Sequence, residues 1–344
     1  MSEDAPEILK PLKTFSHLAK KRRRPSEYEI TTTRAYWIMD SLSTGKDFEG
    51  ERQTDQPFEL SADIPMAKWY VKYRDKSPLQ YDDWEAYRDP DEIIYRSYCR
   101  MQDGQETYVD GIIDEFSTIG HDADLDPDWV KVLASLYTPA RYPLHALQMS
   151  AAYSSQMAPS STVANCAMFQ GGDQFRWVSR TAYRTAELAK TQPKAGFGTD
   201  ERTHWEEDAA WQGFRELLEK ALIAYDWGEH FVAVNLVAKP AFDEAFLRQF
   251  GKSARRNDDM LLHFMADAAL RDAERSRRWS AALVELALNN PDNKKVIQGW
   301  LEKWVPLADK AIADFCGALP DVPDGAEEAS KATRDFRATL GFSI

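Results

Sequence analysis

The sequence lacks any paired-cysteine pattern. Its three cysteines, Cys99, Cys166 and Cys316, are odd in number and far apart, and none belongs to a Cys-x-x-Cys pair. This usage is typical of reduced thiols in a cytoplasmic protein, and it argues against a disulfide framework or a zinc ribbon. Packing as small, buried side chains is the expected role of all three.

Long apolar runs are absent too. No stretch reaches the ~18 residues that a membrane span requires. The opening segment, MSEDAPEILK, is acidic and has no apolar core of the kind that a secretion signal carries. We therefore expect a chain that is neither exported nor inserted in a membrane.

Positive charge is in short supply, since 43 Lys and Arg residues face 56 Asp and Glu residues, giving a net charge of −13. Such a surface repels nucleic-acid phosphates and anionic lipids. The run KKRRR at residues 20–24 has the opposite sign. It leaves open a minor alternative, a nucleic-acid adaptor that binds through this arm, which the overall charge disfavours.

Familiar catalytic and metal motifs are also missing. There is no GxSxG or HExxH. Among the six histidines only His204 has a glutamate, Glu201, three residues before it. A di-iron site in a helical bundle uses two such Glu-x-x-His pairs, so one pair is insufficient. Glu229-His230 could act as a general acid and base, although a hydrogen-bonded core histidine is the more common role.

Aromatic side chains are abundant, with 11 Trp, 14 Tyr and 16 Phe in 344 residues. Such side chains dominate protein cores and permanent interfaces. The chain is long enough to bury a large core. We nevertheless expect some of its aromatic residues to face a partner subunit.

Apolar residues recur at helical spacing through most of the chain, and no alternating run flanked by hairpin turns supports a strand. Residues 228–239, GEHFVAVNLVAK, are apolar nearly all round and are predicted to be buried on every side. Capping residues and prolines predict where helices begin. The predicted long helices start at Asp89-Pro90 and reach Gly120, start at Ser160 or Ser161 and reach Leu188, and span Ser253 to Asn289, with a shorter helix from Asp126-Pro127.

We predict an all-α bundle of about eight helices with an extended N-terminal arm. The predicted division is a mostly irregular arm over residues 1–80, a helical bundle over residues 81–320 and a tail helix over residues 321–344. The part of the arm from Lys13 to Tyr36 has basic and aromatic residues but no helical period. It is expected to lie on a partner rather than on its own bundle.

Four long uninterrupted stretches carry a family resemblance. They are SPLQYDDWEAYRDPDEIIYRSYCRMQDGQETYV (from Ser77), YTPARYPLHALQM (from Tyr137), RTAYRTAEL (from Arg180) and AWQGFRELLEKALIAYDWGEHFVAVNLVAKPA (from Ala210). They closely resemble the hydroxylase β-subunits of soluble bacterial multicomponent di-iron monooxygenases, in the branch that oxidises toluene, alkenes and isoprene. The resemblance covers most of residues 11–320.

The resemblance implies a ferritin-like fold and a non-catalytic, metal-free β-subunit, paired with α- and γ-subunits in a heterohexamer. It implies that the α-subunit holds the di-iron centre and oxidises aromatic or alkene hydrocarbons with O2 and electrons from NADH. An effector protein, a Rieske ferredoxin with a 2Fe-2S cluster and an FAD-containing reductase would be transient cytoplasmic partners. The choice of hydrocarbon would be set in the α-subunit.

In the α-subunits of that family each metal motif reads Glu-x-x-His with Arg before the His. Here two comparable spots read QFRW at residues 174–177 and SRRW at residues 276–279. A Trp has no lone pair for a metal, and its bulk would fill a vacated cavity. The resemblance thus implies four vestigial metal positions, Gln174, Trp177, Ser276 and Trp279. Two ordinary core tryptophans are an equal alternative.

A competing hypothesis is a self-sufficient ferritin-like di-iron oxidase. Its irregular site would lie near Glu201, Glu206, Glu207 and Glu229. The two hypotheses differ in where the metal resides, because only the second requires iron in this chain.

Overall fold

The computed structural model describes residues 26–32 and 65–344, and within these ranges the chain forms helices and turns without any strand. The all-α prediction is confirmed. The helices are α1 (Glu27–Thr32), α2 (Pro65–Tyr70), α3 (Tyr95–Thr118), α4 (Pro127–Val132), α5 (Arg141–Met157), α6 (Ser161–Thr191), α7 (Glu201–Glu207), α8 (Ala209–Leu222), α9 (Trp227–Phe231), α10 (Lys239–Phe242), α11 (Phe250–Arg256), α12 (Met260–Ala287), α13 (Asp292–Cys316) and α14 (Gly325–Thr339).

Wider, π-type turns continue several of these helices. They are Val71–Asp75 after α2, Leu133–Tyr137 after α4, Val232–Ala238 between α9 and α10, and Asp243–Gln249 between α10 and α11. Helices α9 to α11 therefore form one long rod that is interrupted twice by π turns. No sequence pattern had indicated these interruptions.

Two of the predicted helix starts are confirmed. The Asp126 side chain accepts the Asp128 N–H at 2.8 Å, and Pro127 is the first residue of α4. Ser160 caps α6 by accepting the Val163 N–H at 3.4 Å. Both side chains satisfy backbone donors that have no partner within the helix.

The predicted start at Asp89 is wrong. The Asp89 carboxylate accepts the N–H groups of Asp91 and Ile93, and Glu92 takes a left-handed φ of 49°. This local turn competes with helix formation, because an aspartate can satisfy backbone donors outside a helix. Helix α3 therefore begins only at Tyr95.

The predicted continuous helix from Ser253 to Asn289 is also wrong. Helix α11 ends at Arg256, and Asp258 takes a left-handed φ of 60°. Asp259 then caps α12 by accepting the Leu262 N–H at 2.9 Å. The chain therefore turns sharply between α11 and α12, which pack side by side.

The long rod formed by α9 to α11 lies at the centre of the bundle. Every residue of Val232–Ala238 is buried, as predicted, and this segment packs against α8, α12 and α13. Helices α8 and α13 approach each other closely at Gly213, where an added Cβ would lie 2.5 Å from the Ala311 Cα. Any larger residue at Gly213 would push these two helices apart.

Helices α5 and α6 form an antiparallel hairpin along one side of the rod. The Ser155 hydroxyl donates to the Ala164 carbonyl at 3.0 Å near the turn of the hairpin. Farther from the turn, a Cβ added to Gly171 would make ordinary contact with the Ala151 Cβ at 3.5 Å. The small residues at this level let the two helices pack tightly.

The described part of the N-terminal arm lies on the chain's own bundle. Tyr28, in α1, is only 6% exposed, and its hydroxyl accepts the Asp89 N–H at 3.0 Å. Glu29 pairs with Arg88 at 3.2 Å. For Glu27–Thr32, the expectation of contact with a partner rather than with the bundle is therefore wrong. The remaining residues from Lys13 to Tyr36 lie outside the described ranges.

The C-terminal helix α14 packs against α13 and against the π turn Asp243–Gln249. The division into arm, bundle and tail helix remains a prediction. In the part of the chain that is described, no helix is both long and apolar enough to cross a membrane.

One buried charge pair ties the start of α12 to α6. Asp259 is fully buried and accepts from Arg184 at 2.8 Å, from the Trp129 indole N–H at 3.0 Å and from the Leu262 N–H. Burial would by itself raise the pKa of Asp259, but the Arg184 guanidinium and these hydrogen bonds hold that pKa well below its usual range. Asp259 therefore contributes stability as a carboxylate.

Replacing Asp259 by Ala should lower the free energy of unfolding by about 3–5 kcal/mol, because it leaves the Arg184 charge buried without its partner. The contribution of Asp259 should be complete above the unfolded-state pKa of about 3.9. It should then be lost as the pH falls towards the lower folded-state value. Urea unfolding of both chains at several pH values measures this difference.

Asp128→Ala is the matched control, since Asp128 is an exposed carboxylate paired with Lys131. This variant should be far less destabilised than Asp259→Ala at every pH. Equal destabilisation by the two substitutions would contradict the role given to the buried pair.

Candidate functional site

The tryptophans of the QFRW and SRRW segments lie in the core, and each forms a hydrogen bond to the helix that carries the other. Trp177, on α6, is 7% exposed, and its indole N–H donates to the Asp272 carboxylate on α12 at 3.0 Å. Trp279, on α12, is 3% exposed, and its N–H donates to the Gln170 amide oxygen on α6 at 3.2 Å. The two pairs show that α6 and α12 run antiparallel here. Gln174 and Ser276 are also buried.

A network of charged and amide groups lies between these tryptophans. The Arg275 guanidinium donates to the Asp173 carboxylate and lies 3.5 Å from the Asp272 carboxylate. The Gln102 amide, on α3, donates to both carboxylates, at 2.7 Å to Asp173 and 3.1 Å to Asp272. Three helices are therefore joined through buried hydrogen bonds.

The edge of the network reaches the surface through Arg176. Its guanidinium donates to Asp272 at 3.0 Å and to Glu106 on α3 at 2.6 Å. At the other end of the network, the Tyr98 hydroxyl donates to Asp173 at 2.9 Å. Each carboxylate thus has several donors, which is what a buried charge requires.

Opposing effects act on the pKa of Asp173 within the network. Burial and the neighbouring Asp272 charge raise the pKa of Asp173 to about 7, although Arg275 opposes that rise. The two carboxylates are held by arginines, so neither is free to bind a cation. The arrangement can hold helices in place, and it offers no open ligand position for a metal.

A second set of amide contacts joins the central rod to the same helices. Asn235, in the π turn Val232–Ala238, donates to Gln170 at 2.9 Å and to the Ser280 hydroxyl at 3.0 Å. Because Gln170 also accepts from Trp279, its side chain connects α6, α12 and the rod. The geometry again serves to position helices.

Glu229 and His230 do not form an acid–base pair. The His230 ring nitrogens lie 3.1 to 3.2 Å from the carbonyl oxygens of Ala221, Ala224 and Ser150, and burial lowers the pKa of His230. Glu229 points elsewhere and accepts from Lys303 and from the Trp304 indole. His230 therefore has the contacts of a core histidine.

Among the described residues, the acidic side chains of the alternative oxidase site do not form a metal-binding group. Glu201 is buried and accepts the Gly198 N–H, whereas Glu206 pairs with Arg202 at 2.8 Å and Glu207 is exposed. His204 bonds to Asp208 at 2.7 Å. Within residues 26–32 and 65–344, no group of three or more His, Cys, Asp or Glu residues is placed to hold a metal.

Sequence reasoning missed Asp173, Asp272 and Arg275. Their burial could have been inferred from the sequence. Helical spacing puts Asp173 on the same face of α6 as Gln170, and it puts Asp272 and Arg275 on the same face of α12 as Trp279. A charged residue on such a face is buried only if it has a partner. The contribution of Gln102 from α3 could not have been found in this way, since it depends on how α3 crosses the other two helices.

Comparison with known proteins identifies relatives over nearly the whole chain. The family model of the methane/phenol/alkene hydroxylases matches residues 69–291. The toluene-4-monooxygenase system hydroxylase component subunit beta of Ectopseudomonas mendocina is 48% identical, with 91% of this chain and 92% of that protein covered. The phenol 2-monooxygenase oxygenase component DmpL of Pseudomonas sp. (strain CF600) is 26% identical over 69% of this chain and 71% of that protein.

Solved structures agree with this assignment. A structure of toluene 4-monooxygenase with toluene bound in the resting active site superimposes with a TM-score of 0.81 at 45% identity, covering 93% of this chain and 99% of that chain. Xenon-pressurised phenol hydroxylase from Pseudomonas sp. OX1 shares the fold, with a TM-score of 0.76 at 18% identity over 94% of this chain and 92% of that chain. The chain therefore belongs to the methane/phenol/alkene hydroxylase family, and within it to the hydroxylase β-subunits.

Proposed function

We propose that this chain is a non-catalytic, metal-free subunit that braces the catalytic subunit of a hydrocarbon monooxygenase. The observation that carries the proposal is the centre of the packing between α3, α6 and α12, which is filled by the Arg275 ion pairs and two tryptophans. The 48% identity to a hydroxylase β-subunit supports the same role.

The residues at this centre do not fit a di-iron site. Such a site in a helical bundle uses two imidazoles and about four carboxylates that converge on one cavity. The buried part of the network has two carboxylates, Asp173 and Asp272, both engaged by arginine. It contains no histidine. No step of the oxidation is therefore assigned to this chain.

We also propose that four residues mark the positions of lost metal ligands. They are Gln174, Trp177, Ser276 and Trp279. Two buried indoles, one on α6 and one on α12, support this interpretation, since each is anchored by a hydrogen bond to the opposite helix. An indole N–H donates and cannot ligate a metal. Trp at both positions would thus prevent metal binding and keep the bundle packed.

The wider system follows from the same proposal. The catalytic α-subunit would hold the di-iron centre, and α-, β- and γ-subunits would pair as a heterohexamer in the cytoplasm. An effector protein, a Rieske ferredoxin with a 2Fe-2S cluster and an FAD-containing reductase would bind transiently and deliver electrons from NADH. Two relatives are named for toluene and phenol, and the matching family model is named for methane, phenol and alkenes, so an aromatic or alkene hydrocarbon is the proposed substrate class.

The metal content of the chain tests the proposal directly. Separated from its partners, the chain should contain no stoichiometric iron, because its central carboxylates are bound by arginine. The assembled hydroxylase should contain iron. Mass spectrometry of metals in the separated chain and in the complex makes the comparison, and two irons per isolated chain would support the self-sufficient oxidase instead.

Trp177→Ala tests the packing role. The substitution should leave a cavity and cost about 3–5 kcal/mol of unfolding free energy, as large aromatic deletions do. Iron content and turnover per intact complex should be retained, because an indole does not ligate the metal. Urea unfolding, metal analysis and product formation are the measurements.

Phe175→Ala is the matched control, since Phe175 lies two residues away and is 57% exposed. In the isolated chain it should change the unfolding free energy by no more than about 0.5 kcal/mol. A Trp177→Ala complex that stays assembled but loses all its iron would contradict a metal-free brace.

Shortening the N-terminal arm tests whether the arm contacts the catalytic subunit. Deleting residues 1–25 removes the basic run but keeps α1, whose Tyr28 packs on the bundle. The deletion should weaken assembly with the catalytic subunit and leave the helix content of the isolated chain nearly unchanged. Co-purification and circular dichroism measure the two effects.

A full-length chain with residues 20–24 changed to glutamine separates charge from chain length. If the basic side chains meet an acidic partner surface, this variant should weaken assembly as the deletion does. Normal assembly of both variants would show that the arm does not contact the partner.

A further inference from the structure

A cleft of about 50 Å³ opens between the end of α3, the turn that follows it and the second half of α6. Its walls combine apolar and polar side chains. The apolar walls are Ile113, Phe116 and Leu261, and the polar walls include Ser117, His121 and Arg184. We call this space the His121 cleft.

Arg184 is the buried cation of the His121 cleft. Its Nη2 donates to the Asp259 carboxylate at 2.8 Å and to the Asp122 carboxylate at 3.0 Å. Its Nε and Nη1 have no hydrogen-bond partner among the described residues. A guanidinium has five N–H donors, and a buried donor without an acceptor is destabilising. An acceptor that reached Arg184 from the cleft would therefore be bound favourably.

The charges around the cleft favour a ligand without charge. Arg184 is already balanced by Asp122 and Asp259, and Glu187 adds a third carboxylate to the cleft wall. An anionic ligand would face these carboxylates, and a cationic ligand would face Arg184. In residues 26–32 and 65–344 no group of His, Cys, Asp or Glu residues is placed to hold a metal ion.

The polar walls can both donate and accept. The His121 Nε2 lies 3.2 Å from an Asp259 carboxylate oxygen. A proton on Nε2 makes this contact a hydrogen bond and leaves Nδ1 of the neutral ring able to accept. A hydroxyl group carries one donor and two acceptor lone pairs. It could accept from Arg184 and donate to His121 or Asp122, whereas a hydrocarbon could do neither.

The volume limits the part of the ligand that the cleft encloses. One water needs roughly 10–15 Å³, and a cavity of about 150 Å³ holds benzene. A cleft of about 50 Å³ therefore takes a hydroxyl group and a few carbon atoms. An aromatic ring would extend beyond Phe116 to the rim, where Tyr183 is about half exposed.

We propose that the His121 cleft binds a small, uncharged hydroxyl compound, an alcohol or a phenol, with its hydroxyl group inside. The hydroxyl oxygen accepts from Arg184, and its proton is donated to His121 or Asp122. The carbon atoms contact the apolar wall formed by Ile113, Phe116 and Leu261. Hydroxylation of a hydrocarbon yields the same class of compound, and this link to the product is the only part that rests on the proposed function.

Fluorine NMR of 4-fluorophenol tests the site with the full-length chain, since binding to a protein of 39.3 kDa broadens the ligand signal. Phenols titrate near pH 10, so the probe is uncharged at pH 7. The broadening should saturate, and phenol and 1-propanol should each displace the probe. Toluene and benzoate should not displace it, because toluene has no hydroxyl group and benzoate is charged.

Ser117→Phe tests the location, because Ser117 is an exposed residue on the cleft wall and a larger side chain there would fill the space. Thr118→Phe is the matched control, since Thr118 is the next exposed residue of α3 and does not line the cleft. Ser117→Phe should weaken probe binding by at least about tenfold, and Thr118→Phe should change it by less than about twofold. Both variants should melt like the wild-type chain, because the replaced side chains are exposed.

Absence of saturable binding to the wild-type chain would overturn the proposal, since the cleft would then hold water alone. Displacement of the probe by toluene as readily as by phenol would also overturn it, and this result depends on no variant. Equal binding by the wild type and Ser117→Phe, or equal weakening by both substitutions, would overturn the location. Iron in the isolated chain, or failure to bind a catalytic subunit, would overturn the proposed function and leave the ligand site intact.

Discussion

The cost of burying charge governs the interior of this bundle. Asp173, Asp272 and Arg275 lie on apolar faces of α6 and α12, and each would be strongly destabilising without its partners. Their mutual pairing, completed by Gln102 from α3, sets the distance and register between three helices. The other central contacts must be compatible with that register, including those of the two tryptophans.

This constraint also fits the supporting role that we propose for the chain. Carboxylates that converge at the centre of a helical bundle require a cation to balance them. In this chain the cation is the guanidinium of Arg275, with Arg176 beside it. A guanidinium is covalently attached and always charged, so the centre needs no bound metal to remain folded. Asn235 and Gln170 extend the same polar connections into the central rod.

The same charge pairing also determines where charged side chains lie on the surface of α6. Arg176 and Arg180 are turned towards α3 by Glu106 and Asp110. Their pairing removes charge from the outward side of α6. The polar interior and the outward side of α6 are therefore linked, since the arginines that complete one leave the other without charge.

Much of the fold could be predicted from local patterns. Asp126 and Ser160 act on backbone donors a few residues away, so their capping roles are visible in sequence. The burial of Val232–Ala238 follows from a segment that is apolar on all sides. The turn at Asp258 was missed, because the apolar period continues across it and only the packing of α11 against α12 reveals the break.

By itself, the sequence determined the all-α class, the absence of paired Glu-x-x-His motifs and the family resemblance, because these depend on residue type and short-range spacing. The tertiary structure decided which charges meet. Gln102 is about 70 residues from Asp173 and 170 from Asp272 in the chain. No local pattern connects positions so far apart. The attachment of α1 through Tyr28 likewise exists only after the helices have packed, since burial is a property of the assembled bundle.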